Sequence, residues 1–247
     1  MKEELKNKCK DLLKKVHLQK IGQEQMVADL NRDCTAEQKK ILICYLDYLR
    51  TIRELNRNFG HTNRQEMMQI LKVCIELNLR IDVCACYDRN AIEEIRENYY
   101  DYILGFGDTF FCAKEKNPDA AAILYTTENP YRISYERETE RLRYFTERTG
   151  RTFHLERTGV YYKKDDEKKA DRIICLGEPS YFADTGKPVD RVWPSALKNP
   201  DFALDFSRKK KTNFLVYGVD GFIHKGNDIL VELFAKHPEW NLYLCGA

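Results

Sequence analysis

The chain has 247 residues, 43% hydrophobic and 32% charged, a length and balance that suit one large folded domain or two smaller ones. Its formal net charge of only +2 removes any global electrostatic case for a nucleic-acid partner. No apolar run approaches the roughly 20 residues that span a bilayer, and the Met1-Lys-Glu-Glu opening carries no signal peptide, so a reducing cytoplasm is the expected compartment.

Residues 1–35 are charged and helical in pattern, with Leu5, Cys9, Leu12, Leu13 and Val16 on one face and lysines elsewhere. Such a helix packs on its own domain or lies on anionic lipid as a peripheral membrane contact; packing is the commoner outcome. The first strand is the apolar run Ile41–Leu46, of the kind buried in a parallel sheet. A loop at 56–63 leads to a helix capped by Thr62 or Asn63, with Met67, Ile70, Leu71, Cys74, Ile75 and Leu77 as its apolar positions. Strand and helix then alternate: Arg80–Tyr87, a helix over 90–99, Asp101–Phe106, a short helix from Asp108, and Ala120–Thr126. A charge-laced helix runs from about Ile133 to Thr149, and the strands Asp171–Gly177 and Val189–Trp193 follow. This rhythm predicts a doubly wound parallel α/β sheet. Of the nine cysteines, Cys44, Cys74, Cys175 and Cys245 fall in apolar runs, where buried reduced thiols are expected rather than disulfides.

Composition changes over Ser195–Thr212, which holds Pro200 and the run Arg208–Lys211; a solvated linker is the default, with lipid headgroups or phosphate as the sharper alternative. The expected boundaries are a helical extension at 1–36, a Rossmann-like domain at 37–196, a linker at 197–212, and the first βαβ unit of a second, truncated domain at 213–247.

Within that last unit, the strand Asn213–Tyr217 is followed by Gly218-Val-Asp-Gly-Phe-Ile-His-Lys-Gly226 and then by a helix. A helix N-terminus offers unpaired N–H groups and partial positive charge. Gly218 and Gly221 permit close backbone approach, and Lys225 adds a full charge, so with Gly226 the loop suits a diphosphate. The alternative is a plain βα turn with a solvent-facing lysine. The loop lacks the Gly-Lys-Ser/Thr ending of a P-loop and the spacing of a dinucleotide fingerprint.

Other candidates are weaker. Gly105-Phe-Gly107 half-matches a dinucleotide loop but has Phe110 where the third glycine belongs, so a generic turn is favoured. His61 and Thr126-Thr-Glu128 stand at carboxyl ends of strands, where open α/β sheets place ligands, and Glu128 suits acid, base or sugar-hydroxyl acceptor. His61 can equally be incidental, and Glu128 or Asn129 can simply cap the turn before Pro130. Cys84-Ala-Cys86 reads as core, and Lys163–Lys169 as a solvated surface segment. No Asp-x-Asp pair offers ligands for a metal–diphosphate site.

The segment Gly218–Leu230, continuing through Phe234–Pro238 and Leu242–Gly246, resembles the opening of the donor domain in family-4 glycosyltransferases. Asn58–Asn63 with the following helix and Ile81-Asp-Val is similar to the first βαβ unit of their acceptor domain. Thr127–Tyr131 and Glu136–Thr149 resemble a branch associated with bacterial surface and exopolysaccharide loci. The resemblance covers roughly residues 38–247. It implies a GT-B architecture and retaining transfer from a nucleotide-sugar to a saccharide or lipid-linked acceptor, without metal or other cofactor. Lys225 falls on the family's diphosphate-binding lysine, whereas Asp220 stands where the family often has arginine. By motif position His61, Thr127 and Glu128 face the acceptor and the transferring sugar, although Thr127-Glu128 replaces a frequent histidine and no catalytic base is named. The competing readings are a non-catalytic Rossmann-like module that binds a nucleotide or partner, and an NAD-dependent enzyme, against which the incomplete Gly105 loop argues.

Overall fold

In the computed structural model, which describes residues 26–31, 37–46, 62–194, 203, 205–207, 209–218 and 221–245, the apolar run Ile41–Tyr45 is buried along its whole length. A parallel strand covered on both faces must be. The chain divides into two units, residues 1–128 with 166–197 and residues 129–165 with 198–247.

The first unit is built on a seven-stranded sheet. Its parallel members are β2 (Lys40–Tyr45), β3 (Arg80–Ala85), β4 (Tyr102–Gly105), β5 (Ala121–Thr126), β6 (Arg172–Cys175) and β7 (Val189–Arg191). With β1 (Met26–Leu30) outside β3, the order is β1-β3-β2-β4-β5-β6-β7. The chain steps outward from β2 to β3, then returns across β2 to β4. Among the described residues three helices flank the sheet: α1 (Thr62–Glu76), α2 (Arg89–Glu97) and α3 (Gly107–Lys116). With the right-handed crossovers that parallel strands favour, this order puts α1 on one face and α2 and α3 on the other. Asp88 sets the start of α2, its carboxylate accepting from the Asn90 and Ala91 amides at 2.9 and 3.4 Å. Ile103, Ala122, Leu124 and Ile173 are buried, while the alternate residues Leu104, Ile123 and Ile174 line a groove of about 1330 Å³ shared with α1. This architecture is α/β and compatible with a Rossmann-like fold. Among the described residues no helix is long and apolar enough to cross a membrane.

The helical reading of residues 1–35 is corrected over Met26–Leu30, which is the strand β1, antiparallel to β3; residues 1–25 and 32–35 lie outside the described residues. Edge pairing overrides the helical pattern here. Asp29 and Asn31 both adopt positive φ, and the ladder shifts register between Val27 and Leu30, as at a bulge. The anchor is Asp82 of β3, fully buried. It accepts from the Asp29 amide at 2.9 Å, from the Tyr100 hydroxyl at 2.9 Å and from the Lys40 ammonium at 2.7 Å. Burial and the neighbouring Asp82 carboxylate push the Tyr100 hydroxyl upward, so it remains a donor.

The second unit contains α4 (Tyr131–Thr149), β8 (Asn213–Tyr217), α5 (Asn227–Ala235) and β9 (Asn241–Cys245). β8 and β9 pair in parallel, and Phe214, Phe234, Trp240 and His237 form one aromatic cluster against α5. The helix expected within the first domain, α4, thus groups with β8, α5 and β9. Cys245 is exposed rather than buried, because β9 borders a sheet of only two strands. In the segment Lys163–Lys169 five residues are exposed as expected and two are not. Asp166 and Glu167 are buried in a short 3-10 helix, with the Lys169 ammonium 2.9 Å from Asp166.

Candidate functional site

The loop between β8 and α5 draws its residues together in steps. The Gly218 amide donates to the Cys245 carbonyl at 2.8 Å, tying the loop's start to the end of β9. Lys225 then donates through its amide to Gly221 at 2.9 Å, and Asn227 to Phe222 at 2.9 Å. Buried Ile223 roots this turn. Gly226 has φ +78°, a left-handed conformation that favours glycine, and supplies no side-chain cap to the first amides of α5.

The Lys225 side chain folds over Gly218. A Cβ added there would lie 3.0 Å from the ammonium nitrogen. Among the described residues Lys225 has no carboxylate partner. Asn227, fully buried, donates to the Gly218 carbonyl at 3.4 Å, and its Oδ1 has no partner among the described residues. The structure therefore brings Gly218 and Lys225 together and puts Gly226 at the helix start, as the spacing predicts. A cation without a carboxylate partner among the described residues, beside a helix N-terminus that has no side-chain cap, is chemically suited to an anion.

The chain matches no protein-family model, no curated protein and no solved structure. What the site can do therefore rests on its own geometry.

Two residues that sequence reasoning missed complete the surroundings. Arg141 and Arg148 of α4 converge on Asp228 in the first turn of α5, one on each carboxylate oxygen. Arg148 also reaches Glu232 at 3.2 Å. Burial pushes the Asp228 carboxyl up, but the two guanidinium groups outweigh it and hold the carboxyl below its usual range. The clue was available in the spacing. Glu138, Arg141 and Arg148 are separated by three and seven residues, so they share one helix face.

Glu138 is the third hidden member of that face. Its carboxylate accepts from the Glu156, Arg157 and Thr158 amides at 2.6, 3.0 and 2.8 Å and from the Thr158 hydroxyl at 2.6 Å. Burial raises this carboxyl, yet the four donors together lower it to about 2. Because the folded value lies below the unfolded one, the stabilisation is full above pH 4.5 and is lost as pH falls towards 2. Glu138→Gln is expected to cost about 1–3 kcal/mol at pH 7 and to flatten the acid limb between pH 4.5 and 2. Urea titrations at a series of pH values check both.

The remaining candidates separate cleanly. Gly105-Phe-Gly107 follows β4 at the β2/β4 reversal, the position where open sheets place ligands. Three polar groups of the turn are engaged by neighbouring strand ends. The Phe106 amide donates to Cys44 at 3.1 Å, the Thr109 amide to Cys86 at 3.2 Å, and the Thr109 hydroxyl to Ala85 at 3.0 Å. These contacts agree with the generic-turn reading. Thr126 is buried with its hydroxyl 2.6 Å from the Glu128 carbonyl, and Thr127 and Glu128 are half-buried in the first unit. His61 lies outside the described residues, as do Arg208 and Asp220; Lys209, Lys210 and Lys211 are exposed. Cys84 and Cys86 are buried, and the Cys84 and Cys44 sulfurs are 3.6 Å apart. Among the described residues no group of three or more His, Cys, Asp or Glu is placed to hold a metal ion.

Proposed function

We propose that this chain carries the acceptor-side domain and the opening βαβ unit of the donor domain of a retaining glycosyltransferase of GT-B architecture. It moves a sugar from a nucleoside-diphosphate donor to an acceptor hydroxyl on a surface or exopolysaccharide intermediate, at the cytoplasmic side. The observation that supports it is Lys225, whose ammonium lies over Gly218 at the start of α5 with no carboxylate partner among the described residues.

The leaving group of such a transfer is a nucleoside diphosphate, on which negative charge grows as the glycosidic bond breaks. Lys225 and the partial positive charge of the α5 N-terminus meet that charge from prearranged positions, so little reorganisation accompanies the step. Gly218 keeps the space beside the ammonium open, because any side chain there would crowd Nζ. His61, Thr127 and Glu128 are the candidates for the acceptor side.

Lys225→Ala is expected to weaken binding of nucleoside diphosphates about tenfold or more, the loss of one charge-assisted contact. Calorimetric titration with a panel of nucleoside diphosphates checks this, and unchanged affinity would remove the assignment. Nucleotide binding without sugar transfer to any acceptor would favour the non-catalytic module.

A further inference from the structure

We propose that Arg141 and Arg148 are positioning residues for the Lys225 loop, acting by keeping Asp228 occupied so that it does not capture Lys225. This rests on the reading of the loop as a diphosphate site. Asp228 follows Lys225 by three residues, in the first turn of α5, where a negative side chain is stabilised by the helix itself. A lysine ammonium on a flexible four-carbon stem is a natural partner for such a carboxylate. A Lys225–Asp228 pair would cancel the charge offered to an anion.

The structure forestalls that pairing. Arg141 takes Oδ1 and Arg148 takes Oδ2, and the Asp228 side chain is only 8% exposed. Both guanidinium groups also lie over the Tyr144 ring, 5.8 and 5.3 Å from its centre, which braces them from behind. Guanidinium groups suit this role because they remain charged and their planar donors match carboxylate geometry. Asn227 Oδ1, buried at the start of α5 one residue before Asp228, has no hydrogen-bond partner among the described residues.

The competition model makes a prediction that a purely scaffolding role does not. In R141Q/R148Q the carboxylate is released and takes Lys225, so affinity for inorganic pyrophosphate at low salt falls about fivefold or more. Adding Asp228→Asn to the same background removes the competitor, and affinity returns to within about twofold of the parent. Calorimetric titration of the parent, K225A, R141Q/R148Q and R141Q/R148Q/D228N chains, each with a thermal melt, provides the comparison. Loss and recovery support the proposal. An unchanged R141Q/R148Q chain, or a weakened one that Asp228→Asn fails to restore, overturns it and leaves the arginines as scaffold. If K225A itself binds pyrophosphate like the parent, the diphosphate reading fails instead, and the two failures are distinct. Should the double exchange not fold, R141Q against R141Q/D228N carries the same test.

Discussion

Replacing Gly105 with alanine is expected to remove the folded state or to cost more than about 4 kcal/mol, at the extreme of single substitutions. The reason is backbone against backbone. A Cβ at Gly105 would sit 1.8 Å from the Cys44 carbonyl oxygen and 2.6 Å from its carbon, and neither can move without parting β2 from β4. The position also has φ +134°, outside what a side-chain-bearing residue adopts readily. Gly150 provides the control. It has φ +69° at the end of α4 and nothing within 4 Å of an added Cβ, so Gly150→Ala carries only left-handed strain, about 1–2 kcal/mol. Urea unfolding of both variants separates the two contributions, and similar costs would refute the steric account. This contrast also explains why a glycine pair at a ligand-binding position of the sheet belongs to strand packing.

Asp82→Ala is expected to destabilise the first unit by about 3–5 kcal/mol, the range for breaking a buried ion pair from one side. The substitution leaves the Lys40 ammonium, only 14% exposed, without its carboxylate. It also strands the Tyr100 hydroxyl and the Asp29 amide that holds β1 to the sheet. A fall in melting temperature of roughly 6–20 °C follows for a chain of this size. The paired exchange K40M/D82L should cost less than Asp82→Ala alone, because no charge is then left buried. A loss below about 1 kcal/mol for Asp82→Ala would show that water or neighbouring groups take over its contacts.

Much of the architecture was legible because local patterns coincide with burial. Ile41–Tyr45, Arg80–Ala85, Ile103–Gly105 and Ala121–Thr126 are apolar-rich runs, and each became a parallel strand. Helices α2 and α3 follow, with the Asp88 cap before one and Gly107 at the start of the other. Within the candidate site, the Gly218, Lys225 and Gly226 spacing was readable for the same reason. A glycine loop and the helix after it are neighbours in sequence, so their contacts are short-range.

What sequence could not supply is everything that joins distant residues. Met26–Leu30 carries a helical pattern and becomes a strand because β3 offers an edge and Asp82 accepts the Asp29 amide 53 positions away. Arg141 and Arg148 looked like surface charge on a long helix until Asp228, 87 and 80 positions onward, drew them in. Asp166 and Glu167 looked solvated and are buried. Periodicity reports which face of an element is apolar, but a charged face is silent about whether water or another element meets it. By itself, then, the sequence determined the strand–helix alternation, the parallel class of the sheet and the glycine–lysine loop at the start of α5. Only the tertiary structure decided which carboxylates are buried, which arginines attend Asp228, and that Lys225 has no carboxylate partner among the described residues, because ion pairing is a property of distances in space.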